Sequence, residues 1–350
     1  MKNFLPSIIL LTSIILLSTG ASFAVDEQYQ QNKPLVNAFW GASFDGSDAL
    51  DGQAIRSSFT GAEGITIETL VLPHPNPKAS IVLITGKSES FVKYKELAWE
   101  FHNAGFTIYA MDHRSQGLSG RLVPAADKVH VNDFSHYLQD FEQFLQTVVL
   151  PENPEKLFLF AHSMGGAITG TYLLDNHDTF DAAILNAPMI RFKTDGVPAW
   201  LTELIVSSAV KLGQGESYVL GKRDWTIDEW AEILGQATGS DARFNDFLEL
   251  VIEYPELFKS EGATNSWVDE GLKFTRKLRK NAKDIKTPIK LFQAEDDAFV
   301  FNGDQNKLCN KAAACELVFV PNSKHEIYFD IDSVRTPYLA QVLAFYESFL

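Results

Sequence analysis

Ser163 is the residue on which chemistry could be built. It lies in the segment 156–170, KLFLFAHSMGGAITG. Residues 157–160 form a short apolar run suited to a buried parallel strand, and Gly166-Ala167-Ile168-Thr169-Gly170 reads as the start of a small-residue helix. Between them stands Ala161-His162-Ser163-Met164-Gly165. Small-x-Ser-x-Gly between strand and helix is the spacing of a nucleophile elbow, a strained turn that lifts the hydroxyl clear of the sheet. A serine hydroxyl is a poor nucleophile until a base takes its proton and an acid orients that base. In this architecture the acid and then the base follow the serine along the chain.

Two histidines follow Ser163. His177, at the end of the helix that begins at the elbow, reads as a solvated helix-end residue. His325 lies in Asn322-Ser323-Lys324-His325-Glu326, directly after the apolar run 316–320, which is the position for the base. The acid should follow the preceding run, 289–293, where Glu295, Asp296 and Asp297 stand together. Asp297, just before Ala298-Phe299-Val300, is the first choice and Asp296 the second. A developing oxyanion needs two backbone donors. Met164 N–H, at the helix start, is one candidate. Lys87 N–H is the other, in the loop after the run 81–85, where Gly86 permits close approach.

These groups need a frame. Apolar runs rich in β-branched residues occur at 65–72, 81–85, 106–111, 157–161 and 182–185. Helical patterns alternate with them: 91–103 is one, and Phe134, Leu138, Phe141, Leu145 and Val148 mark another at spacings of three and four. The alternation implies right-handed βαβ units, hence an α/β fold with a mostly parallel sheet and helices on both faces. Residues 25–61 read as an irregular arm. After Asn186-Ala187-Pro188 the alternation stops, and 189–284 read as several helices without a strand. Among them, 198–212 is strongly apolar, with Trp200, Leu201, Leu204, Ile205, Val206 and Val210. Strand-like runs return at 289–293 and 316–320, and a last helix spans about 334–350. The expected organisation is a core of 25–188 and 285–350, with 189–284 as a helical cap inserted after the sixth strand. Such a cap lies over the carboxyl ends of the strands, where open α/β sheets bind ligands.

Composition bounds the function. The chain has 350 residues, 45% of them hydrophobic, and 26 Phe, enough for a large core and an apolar pocket. A net charge of −15 argues against a nucleic-acid partner and against charge-driven adhesion to anionic membranes. Lys2, the apolar stretch 4–17 and Ser22-Phe23-Ala24 form a signal segment, 1–24, which places the protein in the periplasm or outside the cell. The alternative is an uncleaved amino-terminal membrane anchor. In an oxidising compartment Cys309 and Cys315 would close a small loop, worth roughly 2 kcal/mol; otherwise they are two buried thiols. Two thiols with no histidine nearby make no zinc site. Nothing in the pattern calls for a metal or organic cofactor.

The motifs together resemble a family. The elbow, with Asp112-His113-Arg114-Ser115-Gln116-Gly117-Leu118-Ser119-Gly120 upstream, is similar to the α/β-hydrolase branch of bacterial lysophospholipases and monoacylglycerol lipases. Gly86-Lys87-Ser88-Glu89-Ser90 with Lys93-Tyr94 resembles its oxyanion loop, 291–297 its acid loop, and His325-Glu326 its base loop. Gly262-Ala263-Thr264 with Trp267 is similar to the end of its cap. Three residues depart from the pattern: Ala161 for the first elbow glycine, Ser115 for the glycine after Asp-His-Arg, and Thr85 where relatives carry His. The resemblance runs from about Phe59 to the carboxyl terminus and implies ester hydrolysis on a single-chain lipid. It also suggests that Asp112 and Arg114 pair to brace the loop beneath the site.

The leading expectation is therefore a serine carboxylester hydrolase acting on lysophospholipids or monoacylglycerols through Ser163, His325 and Asp297, with no obligate protein partner. One alternative is a capped serine aminopeptidase of the same fold; another is a non-catalytic lipid-binding protein on a hydrolase scaffold. The stretch 198–212 would be plain cap core, or else an acyl pocket or a face for transient contact with a membrane surface.

Overall fold

Four strands at the centre of the molecule are buried along their whole length, because helices cover the sheet on both sides. The computed structural model describes residues 26–40, 54–125, 127–260 and 262–350. The expected signal segment lies outside them. In chain order the strands are β1 (Ile55–Thr60), β2 (Thr66–Leu72), β3 (Ala79–Ile84), β4 (Phe106–Met111), β5 (Lys128–Val129), β6 (Leu157–His162), β7 (Ala182–Asn186), β8 (Gly262–Ala263), β9 (Ile289–Asp296) and β10 (Cys315–Lys324). Eight of them form one sheet in the order β1-β2-β4-β3-β6-β7-β9-β10. Only β1–β2 and β2–β4 pair antiparallel within it. β5 and β8 make a separate two-stranded parallel pairing.

Side chains alternate across the sheet, so each strand feeds two cores. In β3, Val82 and Ile84 join Phe134, Phe141 and Leu159 on one face. Ile81 and Leu83 join Phe101, Phe106 and Phe160 on the other. The helices are α1 (Glu27–Trp40), α2 (Lys95–Asn103), α3 (Ser135–Phe144), α4 (Met164–Tyr172), α5 (Ala199–Lys211), α6 (Ile227–Ala237), α7 (Asp241–Glu253), α8 (Pro255–Phe258), α9 (Asn265–Asn281), α10 (Asn302–Cys309) and α11 (Asp332–Glu347). The five from α5 to α9 stand between β7 and β9, after the sixth strand of the main sheet, where the cap is expected.

Three expectations need correction. The stretch 25–61 is not irregular throughout, since it holds α1 and β1. Tyr29, Asn32, Val36 and Trp40 bury one stripe of α1, at spacings of three and four, while Pro34 within the helix obscures its pattern. The cap stretch contains a strand, the two-residue β8, which ties its end to β5 beside the main sheet. The helix expected at 91–103 opens as a 3₁₀ turn, Phe91–Tyr94, with the Ser90 hydroxyl accepting from the Val92 amide before α2 begins.

Candidate active site

The chain turns from β6 into α4 through one residue. Ser163 has φ 48° and ψ −113°, a conformation that costs a non-glycine residue on the order of 1–3 kcal/mol. Surrounding contacts hold it there. Its amide donates to Asn186 O at 3.1 Å and its carbonyl accepts from Met189 N at 2.8 Å. The turn is tight enough that a Cβ on Gly165 would lie 2.5 Å from Thr85 O, and one on Gly166 would lie 2.6 Å from Pro188 Cβ. Ala161 meets no such limit. It is a fully buried strand residue packed into the core, and its Cβ is accommodated there.

Ser163, His325 and Asp297 come together at the carboxyl ends of β6, β10 and β9. His325 Nε2 is 2.9 Å from Ser163 Oγ, and His325 Nδ1 is 2.7 Å from Asp297 Oδ2. The other oxygen of Asp297 accepts from the amides of Phe299 and Val300, both at 2.9 Å. These two bonds fix the carboxylate independently of the histidine. Burial pushes Asp297 up, but His325 and the two amides outweigh it and hold its pKa below the usual carboxylate value. Burial likewise pulls His325 down, and the Asp297 carboxylate reverses this and leaves its pKa above 6.5. Asp296 is exposed and takes no part in this chain of bonds, and His177 is exposed beyond the end of α4.

The loop after β3 is pinned on either side of Lys87. Gly86 N donates to Glu89 Oε2 at 2.6 Å, and Ser88 N donates to Gln116 Oε1 at 3.1 Å. Gln116 Nε2 holds the Gly86 and Glu89 carbonyls at 2.7 and 3.0 Å. Met164 is the first residue of α4, so its amide has no acceptor within the helix. The Lys87 ammonium reaches Ser88 Oγ at 3.0 Å and lies 5.9 Å from the Trp267 ring centroid.

Asp112 and Arg114 do not pair, contrary to expectation. Asp112 accepts from Phe91 N, Ser90 Oγ and Leu118 N, and burial raises its pKa to about 6. Arg114 turns the other way, to Asp140 on α3 at 2.7 Å and to Glu63 at 2.9 Å. Each braces a different loop. Ser115 accepts the left-handed conformation, φ 63°, for which glycine is usual. Cys309 and Cys315 are disulfide-bonded across the turn between α10 and β10.

A cavity of about 450 Å³ opens over Ser163 and His325. Met189, Val206, Trp267, Phe299 and Val300 give it apolar walls, two of them, Val206 and Trp267, from helices α5 and α9. Polar side chains line it as well: Glu89, Lys93, His162 and Glu326, all four buried. Sequence reading quoted these residues only as parts of larger motifs. Their one local signal is the i,i+4 pairing of Glu89 with Lys93.

An eight-stranded, mostly parallel sheet with a serine elbow, a capped cavity and acid and base loops at its strand ends defines an α/β-hydrolase. Residues 75–332 match the family model described as serine aminopeptidase, S33, and the chain belongs to that family. It is 30% identical over 303 residues to lysophospholipase L2 of Escherichia coli, covering 84% of this chain and 88% of the relative. It is also 30% identical over 158 residues to a monoacylglycerol lipase of Mycolicibacterium smegmatis, covering 45% of this chain and 53% of that one. Among solved structures, a soluble variant of monoglyceride lipase from Saccharomyces cerevisiae, bound to a substrate analog, superposes with a TM-score of 0.67. That match has 17% identity over 84% of this chain and 94% of the other, a likeness of fold.

Proposed function

We propose that this carboxylic ester hydrolase cleaves single-chain lipid esters, lysophospholipids or monoacylglycerols, with Ser163 as nucleophile. His325 takes the serine proton, Asp297 holds the imidazole in the productive tautomer, and the amides of Met164 and Lys87 stabilise the oxyanion. As the ester C–O bond breaks, His325 gives that proton to the departing alcohol; water, deprotonated by the same base, then attacks the acyl-serine and releases the fatty acid. The observation that carries this reading is the unbroken hydrogen-bond chain Asp297–His325–Ser163 at the floor of a cavity with apolar walls. A fluorophosphonate probe should label the wild type and leave Ser163→Ala unlabelled; labelling that persists in the variant refutes the assignment.

The family description favours a second reading, release of amino-terminal residues from peptides. Parallel assays on a lysophospholipid, a monoacylglycerol and a prolyl-amide decide between them. Turnover of the amide alone would sink the lipid reading.

Export and membrane contact complete the proposal. The signal segment and the Cys309–Cys315 disulfide support a periplasmic or secreted enzyme. Mature protein recovered from the periplasm should begin at Val25. The cap would meet the lipid surface through α5. This helix is apolar yet buries only Thr202 and Val206, leaving Trp200 and Leu204 69% and 59% exposed. Leu204→Asp should abolish sedimentation with zwitterionic liposomes while hydrolysis of a soluble short-chain ester continues. Undiminished sedimentation would remove α5 from the docking surface.

A further inference from the structure

Acyl transfer needs its oxyanion donors and its base held in register, yet the Lys87 loop follows β3 and His325 lies at the end of β10, far along the chain. Three side chains join the two loops. Glu89 Oε2 accepts from the Gly86 amide, next to Lys87, at 2.6 Å. Glu89 Oε1 accepts from Lys93 Nζ at 3.2 Å. The same ammonium donates to Oε1 of Glu326, the residue after His325. A second span runs beside the first. Tyr94 OH donates to Glu89 Oε2 at 2.6 Å and Tyr328 OH to Glu89 Oε1 at 3.0 Å, and the two rings stack with centroids 4.5 Å apart.

This bridge is built where charge is costly. The side chains of Lys93, Glu89 and Glu326 are only 3%, 6% and 8% exposed. Replacing a buried ionic set by apolar groups of similar volume is often neutral or stabilising, so stability alone is a poor reason to keep one. Directional bonds do what apolar packing cannot, fixing one loop against the other to within a bond length. Lys93 does not act on a substrate, because its ammonium is committed to the two carboxylates, with the Phe247 and Phe329 ring centroids at 4.9 and 5.3 Å. Both carboxylates depend on it. Oxygens of Glu89 and Glu326 lie within 4.8 Å of one another, so without the ammonium two like charges would repel across the join.

We propose that Lys93 is a positioning residue: through Glu89 and Glu326 it holds the Lys87 amide and the His325 ring in register at Ser163. This rests on reading Ser163, His325 and the Lys87 amide as the reacting groups. Asp297 and Lys93 then act on different parts of the base. Asp297 orients the imidazole through Nδ1. Lys93 fixes where the loop that carries the imidazole stands against the oxyanion loop.

The rate at which a fluorophosphonate labels Ser163 reads this without assuming a substrate, because phosphonylation uses the same base and oxyanion donors. Rates are taken well below each variant's thermal midpoint. Lys93→Met, which fills the space without N–H groups, should lower the maximal labelling rate at least about tenfold and leave the half-saturating probe concentration unchanged. Glu326→Leu cuts the bridge at its other end and should match that loss. The double variant should lose no more than either single one, since both remove the same connection. Glu326→Gln keeps an oxygen for the ammonium and should recover most of what the leucine loses. A smaller fall in Lys93→Met overturns the proposal, as do losses that multiply in the double variant. Should Lys93→Met fail to fold, the Glu326 pair decides: faster labelling of Glu326→Gln than of Glu326→Leu supports the bridge, and equal rates overturn it. A wild type that is labelled, with variants that match it, overturns the bridge alone. A wild type that takes no label overturns the bridge and the ester-cleavage reading together.

Discussion

Asp297 divides its work between its two oxygens, and the division can be tested. Oδ1 holds the loop through the Phe299 and Val300 amides; Oδ2 orients His325. Asparagine keeps an acceptor for the amides but cannot hold the imidazole in the same tautomer. Asp297→Asn should therefore fold with an unchanged thermal midpoint and lose about 10⁴ in kcat. The pH profile follows from the same pair. In the proposed mechanism the base must be neutral, and the neighbouring carboxylate keeps His325 protonated above its ordinary 6.5. Wild-type kcat/KM on a soluble ester should thus rise with pH through an ionisation above that value, and in Asp297→Asn the midpoint should move down. That Ser163, His325 and Asp297 would meet was legible because the proposed chemistry fixes their order and each follows an apolar run. The partner of Arg114 was not legible. Asp140 lies 26 residues away on another element, and no local spacing announces it.

At the scale of elements, the elbow depends on how closely β3 and α4 approach. Gly165→Ala would thrust a methyl group against the carbonyls of Thr85 and Ile84, at 2.5 and 2.7 Å. These are backbone atoms at the end of β3 and cannot rotate aside. The cost should be about 1–3 kcal/mol in urea unfolding, accompanied by loss of activity because the displaced strand carries the Lys87 loop. Unchanged activity would show that the loop moves independently of β3. The buried parallel strands of the main sheet were readable from composition, since such strands are continuous apolar runs; β1, β5 and β8 were not. The polar cluster behind Ser163 was not, because Glu89, Lys93, His162 and Glu326 arrive from three separate strand-end segments and meet only when the sheet closes.

For the molecule as a whole, the two ends of the cap are fastened differently. Arg243 on α7 donates to Glu96 on α2 at 2.8 Å and to Asp332 on α11 at 3.0 Å. Helix α1 reinforces that side through Tyr29 and Lys33 to Asp246, and through Trp40 to the Lys95 carbonyl. By contrast, α5 is held chiefly by α9, through Ser207 with Asp269 and Glu203 with Arg276. Trp40→Ala should cost about 3–5 kcal/mol in urea unfolding although it lies far along the chain from the triad. A cost below 1 kcal/mol would show α1 to be an ornament on an already stable core. Sequence reading passed over α1 because its buried stripe includes Asn32, a polar residue, and is interrupted by Pro34.

The sheet order has one more consequence, for the cell that makes the protein. His325 stands 162 residues after Ser163, at the end of the last strand, β10, on the sheet's edge. Synthesis at about 5–20 residues per second spaces the two by roughly ten to thirty seconds. Throughout that interval β3, β6 and β7 have been made, but the hydroxyl lacks the base proposed for it. On the proposed mechanism a half-made chain would carry a serine without its base, and ester hydrolysis would begin only when the final strand joins the sheet.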